Sequence, residues 1–501
     1  MNHSKTLLLT LLSLTLPWAS VLAESVTLTE PGTLSESVSE IAGATQLSVT
    51  GPMNAVDFQF ISNEMQSLAK LDLSKASISA YSGTPLRSGR TDFAANTLPA
   101  YSLAGSKLTE IKLPSSLTTI GEGALSSTPI ENLSIPAGVT TIESGAFNSC
   151  TKLKTVTVPA AVTVMGDRVF ASCASLTTAT LQIAELPDHT FEMCTSLEKV
   201  NQPSGGFSSI GESAFRGCTA LSSFTFGTSL ASIGNSAFEL SGIQQADMSG
   251  CPRLENIGAR SFAQCGSLAT VIMPECVKTI GTAAFFDDTA LVSINFPASC
   301  KELAPYLFKG NNNVDTTSIV HSGVTAIGEY ALMGLDHATT FTLPDALQSI
   351  GDHAMEGWTS LERLNVIGIT EVPETGADVW EGVQQPQVDL IVGQGMAEKF
   401  ETAPQWQEFH IIFMSGIEDV TVPESDPTKG VKARFAGTDL IITAPETIDT
   451  VTLHDASGME LLRMNPGSDR AVMDTSDRTA RIYIVTVVLE SGSSVTFKLA
   501  R

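Results

Sequence analysis

The chain has 501 residues, which is too long for one compact core but long enough for a stacked array with terminal modules. It carries 53 acidic against 28 basic residues, a formal net charge of −25, and a field of that sign repels nucleic acid and anionic membrane surfaces. Charged residues nevertheless make up only 16% of the chain, which favours a folded extracellular protein over an acidic disordered tail.

The first residues have the pattern of an export signal. Lys5 precedes an apolar run over residues 7–16, and Val21 and Ala23 stand three and one positions before the expected cleavage point. The run is too short for a membrane anchor, which needs roughly 20 apolar residues. We therefore predict that residues 1–23 are a cleaved signal peptide, that no transmembrane segment follows, and that the mature protein is extracellular or lies on the outer-membrane cell surface.

Residues 24–100 are expected to cap the repeats that follow them. Short apolar segments around Leu47, Phe58 and Leu71 look like atypical strand and helix units. Residues 81–100 have no clear period and are interpreted as a loop. A cap is needed because the first unit of a stacked array exposes one face of its core.

From Ile120 onward, one pattern recurs about every 23 residues. It consists of an apolar anchor, usually followed by Gly, with an Ala-Phe-like pair four and five positions later. A fixed period of this length indicates one structural coil per repeat, with the coils stacked into a solenoid. The predicted anchors are Ile120, Ile142, Met165, Leu186, Ile210, Ile233, Ile257, Ile280, Leu303, Ile327, Ile350 and Val372.

Within each coil, the residues after the Ala-Phe pair predict a strand. In the coil of Ile142, Leu153, Val156 and Val158 alternate at the end of the unit and Pro159 stops the pairing. One such strand per coil, always running the same way, gives a parallel sheet along one side. The anchor and its Gly are expected to make a turn, because Gly adopts backbone conformations that other residues resist.

The aromatic residue of the pair is expected to fill the middle of the coil. It would lie on a short helical or irregular return segment, where Ala lets neighbouring backbones approach. One coil cannot bury such a ring alone, so the coils on either side must do so. The prediction is that equivalent rings lie nearly on top of one another in successive coils, as for Phe147, Phe170, Phe191 and Phe215.

The strings of anchor, Gly, Ala-Phe, Cys and Leu, as in residues 210–221, resemble the BspA-like branch of the leucine-rich repeat family. The resemblance spans roughly residues 101–380 and implies a leucine-rich repeat solenoid, a parallel β-sheet with one strand per coil of about 23 residues. We assign residues 101–413 to this array and its C-terminal cap. Trp406 is interpreted as a capping core residue, with ligand stacking as the alternative.

Eight cysteines lie between Cys150 and Cys300, and several of them fall eight residues after an anchor. Equivalent positions on neighbouring coils are about 4.8 Å apart, within reach of a disulfide. Buried free thiols are the alternative, because free Cys packs as a small hydrophobe. Both interpretations stay open for Cys150, Cys173, Cys194 and Cys218.

No catalytic or metal-binding motif is present. The sequence lacks H-E-x-x-H, G-x-S-x-G, a phosphate loop and an EF-hand string, and no His is interleaved with the cysteines at the spacing of zinc ligands. His353 is interpreted as a variable turn residue rather than a ligand. No metal, cofactor or catalytic residue is predicted, and the chain is expected not to be an enzyme.

The outward positions of the predicted strands are the candidate binding site. Strand alternation places polar side chains side by side on the exposed face of the sheet. Solvation and the strand propensity of Thr explain the same pattern, so a broad docking surface is one of two interpretations. The candidate residues are Thr109, Glu110, Lys112, Glu131, Asn132, Lys154, Thr155, Thr157, Thr178, Thr180, Glu198 and Lys199.

Residues 414–430 are polar, contain two prolines and are predicted to be a linker. Residues 431–501 show short alternating strands separated by Gly and Asp turns, which predicts a small β-sandwich. The segments Val451–Leu461, with its turn over residues 455–458, and Lys498–Arg501, together with the Tyr483 strand, resemble the sorting domain of the type IX secretion system of Bacteroidota. The family usually has Gly where this chain has Arg481, and an accessory β-domain is the alternative.

The BspA-like resemblance implies attachment to host or microbial macromolecules. The predicted function is therefore a non-enzymatic adhesin that docks extracellular proteins or glycans on the exposed solenoid sheet. A glycan-capturing surface protein and a self-associating surface structural protein are the alternatives. The sorting-domain resemblance further implies contact between the C-terminal domain and outer-membrane secretion machinery.

Overall fold

The structure is a computed structural model that describes residues 23–37, 41, 43–393, 395–413, 430–436, 439–455, 459–475 and 482–500. The predicted signal peptide up to residue 22, the linker up to residue 429, the turn residues 456–458 and Arg481 lie outside the described residues. The chain forms two compact units. The first comprises residues up to 339 with 346–361 and 373–384, and the second comprises 340–345, 362–372 and residues from 385 onward.

The first unit begins with three parallel strands and a helix. The strands are Ala23–Thr27, Gln46–Met53 and Lys70–Ile78, with a 3-10 turn at Leu34–Ser37. The helix Ala55–Glu64 starts at a capping box, in which the Asn54 side chain accepts the Val56 N–H and Asp57 accepts the Asn54 N–H. The predicted strand and helix units of this region are therefore present.

Part of the predicted loop over residues 81–100 is ordered as a hairpin, so that expectation was wrong in this segment. Tyr81–Ser82 pairs antiparallel with Asp92–Phe93. Phe93 is buried with Ala55 and Ala100 in a small apolar cluster, which explains why the segment folds back on the helix.

Most coils contain the predicted strand, which we call the face strand, but residues 221–227 in the coil of Ile210 form none. The face strands pair in parallel, and isolated bridges join Asn132 to Glu110 and to Thr155. In the coil of Leu303, a short helix, Thr316–Ile319, stands where a face strand is expected. The face strands of the first unit are Glu110–Lys112, Thr155–Thr157, Thr178–Thr180, Lys199–Asn201, Gln245–Asp247, Thr270–Ile272 and Ser293–Ile294.

A second row of strands ends at the anchors, where the sequence predicted a turn. These anchor strands pair in parallel, anchor to anchor, in three separate sheets. The first sheet is Thr97–Leu98, Thr119–Ile120, Thr141–Ile142 and Val164–Met165. The second is Glu185–Leu186, Ser209–Ile210, Ser232–Ile233, Asn256–Ile257 and Thr279–Ile280. The third is Glu302–Leu303, Ala326–Ile327, Ser349–Ile350 and Glu374–Thr375.

The pairing also corrects the last anchor. Ile350 pairs with Thr375, so the anchor of that coil is Thr375 and not Val372. Gly376 then follows the anchor, and Val379 and Trp380 occupy the places of the Ala-Phe pair. The prediction failed because an apolar residue was expected at every anchor, whereas the anchor of this coil is the polar Thr375.

The Gly after the anchor is required for close approach and not for a left-handed turn. At Gly121 and Gly234, which have no positive φ, a Cβ would lie 2.6 Å from the Leu98 carbonyl oxygen and 2.7 Å from the Glu212 amide nitrogen. Positive φ occurs instead three residues after the anchor, in non-glycine residues such as Tyr330. The role of Gly predicted from the sequence was therefore wrong.

The core of the array is a column of stacked phenylalanines, as predicted. Eight rings lie with centroids 5.2 to 6.0 Å apart and interplanar angles of 20° or less. All of them are fully buried, so each of these eight coils supplies one ring that the neighbouring coils cover. The column is Phe147, Phe170, Phe191, Phe215, Phe238, Phe262, Phe285 and Phe308.

Main-chain hydrogen bonds join each return segment to the next coil. In the coil of Ile210, the N–H groups of Ser213, Phe215 and Gly217 donate to carbonyls of the following coil at 2.7 to 2.8 Å. The return segment is therefore irregular within a coil but regular between coils, which satisfies backbone groups that would otherwise be buried without partners.

The second unit contains four parallel strands: Thr340–Thr342, Arg363–Val366, Asp389–Val392 and His410–Phe413. The 3-10 turn Gln385–Gln387 and the helix Ala397–Thr402 connect them. Trp406 is fully buried, with its ring 5.1 Å from that of Phe400 and 6.1 Å from that of Phe409. The predicted core role of Trp406 is thus confirmed.

The remaining strands of the second unit are antiparallel, which is compatible with the predicted β-sandwich. The long strand Asp439–Asp455 is the centre of the pairing, and its two halves have different partners. Its apolar side chains enclose a core with Tyr483 and Val485. The other strands are Lys432–Ala436, Glu460–Met464, Ser468–Asp474, Ile482–Leu489 and Ser494–Ala500.

Candidate functional site

The predicted polar face is laid out by the register of the face strands. Glu110, Asn132, Thr155, Thr178 and Lys199 occupy one row, because each pairs with the next across the sheet. Lys112, Thr157 and Thr180 are two residues further along their strands and share a second outward row. Alternation thus brings these eight candidate residues together, as expected.

The other four candidate residues lie just before the strands begin. Thr109, Glu131, Lys154 and Glu198 each precede a row residue by one position. Thr109 donates its hydroxyl hydrogen bond to the Ala69 carbonyl at 3.1 Å, and Lys154 pairs with Glu131 at 3.0 Å. The hydrogen bond from Lys154 lowers the pKa of Glu131. These residues form the leading edge of the face and not its outward rows.

The face extends into the strands before the repeats, for which no candidate residues were predicted. Lys70 pairs with Glu110 at 3.2 Å, and Lys112 with Asp72 at 3.1 Å, so opposite charges alternate across neighbouring strands. Burial opposes ionisation of Asp72, but hydrogen bonds from Ser74 and Lys112 lower its pKa overall. The alternation of Lys70 and Asp72 around a buried Leu71 is the same signal that marked Glu110 and Lys112.

A shallow depression of about 330 Å³ lies over this part of the sheet. Its polar lining includes all four of these charged side chains. Gln46 and Ser48 extend the lining toward the first strand. Polar groups therefore converge on one concave area, as in binding sites that orient a ligand by hydrogen bonds. The depression is lined by Gln46, Ser48, Lys70, Asp72, Glu110 and Lys112, among others.

A larger depression, of about 890 Å³, lies where the first two anchor sheets separate. The coil between Met165 and Leu186 is only 21 residues long, and the strand ending at Met165 does not pair with the strand ending at Leu186. Val164 at this break is 56% exposed. The short spacing was visible in the sequence, but its effect on the pairing was not.

A row of side chains three residues after the anchors was missed by the sequence analysis. The rings of Tyr306 and Tyr330 lie 4.9 Å apart, and those of Tyr330 and His353 lie 4.7 Å apart with an interplanar angle of 8°. The Lys309 ammonium lies 4.3 Å from the Tyr330 centroid, a cation–π contact. Burial and the neighbouring carboxylates, Glu329 first among them, raise the pKa of Tyr330.

Six residues after the anchors, charged side chains form a second row, in which Arg216 contacts Glu192 and Glu239, each at 3.1 Å. Arg260, three residues after the anchor Ile257, also reaches Glu239 at 3.0 Å. The hydrogen bonds from Arg260 and Ser236 lower the pKa of Glu239 against the effect of burial. In this part of the array, each carboxylate thus has a guanidinium partner.

The eight cysteines, all within the described residues, are free thiols. Those eight residues after an anchor donate to the carbonyl of the residue five positions after the anchor of the preceding coil, as in Cys173 to Phe147 at 3.3 Å and Cys194 to Phe170 at 3.0 Å. Burial raises the pKa of Cys218. Of the two interpretations left open, the structure contains the buried thiols.

Stacked coils, parallel strands and a buried ring in each of eight successive coils define the protein as a leucine-rich repeat solenoid. Residues 77–198, 184–315 and 313–375 match the family model described as "BspA type Leucine rich repeat region", with six copies. Together these matches extend over more than half of the chain, so the protein belongs to the BspA-type leucine-rich repeat family.

Several solved structures are similar in fold. A leucine-rich repeat protein from Bacteroides ovatus is 18% identical, with a TM-score of 0.44 over 74% of this chain and 84% of that one. A leucine rich cell surface protein from Faecalibacterium prausnitzii is 19% identical, with a TM-score of 0.33 over 62% and 86%. The pneumococcal vaccine antigen PcpA is 13% identical, with a TM-score of 0.34 over 74% and 80%. No functionally curated protein matches the chain.

Membership of the family defines the general class of function. BspA-type proteins are leucine-rich repeat surface proteins, and a repeat solenoid typically serves as a non-enzymatic scaffold for protein binding. No helix in the described ranges has the length and apolar character that a membrane crossing requires.

Proposed function

We propose that the protein is an adhesin that docks an extracellular protein on its polar face. The face is the two outward rows described above, together with the depression lined by Lys70, Asp72, Glu110 and Lys112. Docking would need no covalent step, because shape and charge complementarity suffice for recognition. The predicted alternatives, glycan capture and self-association, have no separate observation in their favour.

The alternation of charge on the face carries this proposal. Lys70, Glu110, Lys112 and Asp72 present both signs within one depression, and their side chains remain 33 to 59% exposed. Such pairs are worth little to stability at a surface, roughly 0 to 1 kcal/mol. The same charges can reorient toward a partner of complementary pattern, where they set specificity and association rate.

The test is binding of the purified mature chain to immobilised matrix proteins, glycan arrays and partner cells by interferometry. The double variant Thr155→Arg and Thr178→Arg places two long side chains in the outward row, and we expect at least a tenfold loss of affinity for a protein ligand. Thr195→Arg is the matched control, because Thr195 is exposed but lies outside the face strands. The absence of saturable protein binding, or an equal loss in the control, would contradict the proposal.

We further propose that residues 1–23 direct export and that residues 431–501 act as a sorting module. Support comes from the apolar run in the first segment and from the resemblance of Val451–Leu461 and Lys498–Arg501 to the sorting family. Removal of residues 431–501 should leave the protein in the periplasm of the producing cell, as measured by fractionation. Surface display of the truncated protein would contradict the sorting role and leave the adhesin proposal untouched.

A further inference from the structure

Near the end of the array, three ligand-bearing side chains converge across two adjacent coils. His353 and Glu356 lie three and six residues after the anchor Ile350, and Glu381 lies six residues after the anchor Thr375. The Nδ1 atom of His353 is 2.9 Å from Glu356 Oε2 and 3.6 Å from Glu381 Oε2. All three ligand atoms lie within 4.8 Å of one another.

The geometry points to a binding site for a divalent transition-metal ion, and we propose that His353, Glu356 and Glu381 hold Zn²⁺ or a similar cation. One imidazole nitrogen and two carboxylate oxygens are a donor set that zinc accepts. Ligands about 2.1 Å from a tetrahedral zinc lie roughly 3.4 Å from each other, between the two distances that His353 makes. Three protein ligands leave a fourth position for water or a partner's carboxylate.

The charge balance of this row distinguishes the site from the rest of the array. At the equivalent positions of earlier coils, Arg216 separates Glu192 from Glu239 and pairs with both. Glu356 and Glu381 are neighbours in the same row, but no Lys or Arg in the described ranges forms an ion pair with either. Two adjacent carboxylates repel each other unless a cation lies between them.

The hydrogen bonding of His353 also differs from that of His189, the equivalent residue in an earlier coil. His189 and Glu192 have the same spacing as His353 and Glu356, and His189 Nδ1 makes a hydrogen bond to Glu192 at 2.9 Å. His353 Nδ1 is buried and makes no hydrogen bond within the described residues, despite an equal distance to Glu356. A buried nitrogen without such a partner is suited to donate its lone pair to a metal.

The ring of His353 is also held in place. Its imidazole stacks on the Tyr330 ring, with the ring centroids 4.7 Å apart and an interplanar angle of 8°. The stacking fixes the plane of the imidazole, which is what a metal ligand requires of its surroundings.

The experiment is calorimetric titration of the full mature chain with Zn²⁺, repeated with Mn²⁺. We expect one Zn²⁺ site per chain that loses at least tenfold in affinity in His353→Asn and in Glu381→Gln. Glu381 is 62% exposed at its side chain, so its substitution leaves the core intact. His189→Asn is the matched control, since His189 also has positive φ, but the next coil has Arg216 at the position of Glu381, and Arg216 pairs with Glu192.

The control variant should bind Zn²⁺ as the wild type does. An absence of saturable binding in the wild type would overturn the proposal. So would a site that both His353→Asn and Glu381→Gln leave unchanged, or one that His189→Asn weakens equally. Circular dichroism of each variant verifies that a loss of binding is not a loss of folding.

Discussion

Two stretches of the array form the same hydrogen bond, from a buried side chain to a carbonyl of the preceding coil, with different residues. Eight residues after the anchor, the coils of Ile142 to Ile210 all use cysteine, with Cys150, Cys173, Cys194 and Cys218 donating to carbonyls of the preceding coil at 3.0 to 3.3 Å. In the coils of Leu303 and Ile350 other residues make the same contact. The position therefore selects a buried donor, and a thiol is only one way to supply it.

The later coils show what the contact requires. Asn311 donates to the Phe285 carbonyl at 2.7 Å and accepts the Asp288 N–H at 2.8 Å, while Trp358 donates to the Leu332 carbonyl at 2.7 Å. Asp288 accepts the Cys265 N–H at 2.7 Å, but its Oδ2 has no hydrogen-bond partner among the described residues. Among the polar residues of this row, Asp288 is the one whose contact depends on its protonation state.

The largest effect is expected at Trp358, which is fully buried. Trp358→Ala should destabilise the protein by about 3–5 kcal/mol, because it leaves a cavity as well as an unpaired carbonyl. Trp358→Phe should cost only about 1 kcal/mol, since the carbonyl loses its donor but the volume is largely kept. Urea unfolding of the two variants measures the difference. Equal losses would mean that the donor, not the volume, dominates.

The next effect concerns Asp288. Burial raises the pKa of this carboxyl well above its usual range, against the hydrogen bond from Cys265. The folded protein thus keeps a proton that the unfolded chain releases above about pH 4. The stability linked to this proton is complete below that pH and is lost as the pH rises through the pKa of the folded state.

Asp288→Asn should therefore stabilise the protein at pH 8 by about 1–3 kcal/mol, because an amide supplies both the acceptor and the donor as Asn311 does. The gain should shrink as the pH falls toward 4. Urea unfolding of both proteins across this pH range is the measurement. A gain that is independent of pH, or a loss of stability at pH 8, would refute the inference that burial raises the pKa of Asp288.

A smaller effect is expected in the cysteine coils. Cys194→Val keeps the volume but removes a weak donor, so it should cost about 0.5 kcal/mol. The coil of Ile327 already tolerates the fully buried Leu335 at this position. A loss above about 2 kcal/mol in thermal or urea unfolding would show that the thiol contributes more than its hydrogen bond.

The smallest effect is one of reactivity and leaves stability unchanged. Cys276 is partly exposed, whereas Cys150, Cys173, Cys194 and Cys218 are buried. A thiol reagent should therefore label Cys276 first in the native protein, as mass spectrometry of the digested chain can show. Labelling of Cys194 at a comparable rate would indicate that the coils open locally.

The sequence allowed the stacking to be predicted because it is a local and periodic property. Each Phe of the column stands at a fixed distance from its anchor, so counting residues was enough. The anchor strands were missed since two residues are too few to show alternation, and Thr375 was missed since its side chain is polar. The charged strands Lys70–Ile78 and Glu110–Lys112 lie side by side, although their paired residues are 40 positions apart in sequence.

The residues of the metal site could not be predicted for a related reason. His353 by itself had the pattern of a turn residue, and Glu381 was out of register because the anchor of its coil was misplaced by three residues. Only the pairing of Ile350 with Thr375 shows that Glu356 and Glu381 are equivalent. Contacts between side chains of neighbouring coils can be predicted only when the anchor of each coil has been assigned correctly.

The hydrogen bonds between coils give the array a direction. Main-chain donors such as Ser213, Phe215 and Gly217 point toward the following coil, whereas a side-chain donor such as Cys218 points back to the preceding one. The anchor side of the same coil runs the opposite way, because the N–H groups of Ser208 and Gly211 donate to the Ala184 and Leu186 carbonyls of the preceding coil. A cut at either end of the array would therefore leave amide protons without acceptors, so a shortened version of this protein should need a cap at both ends.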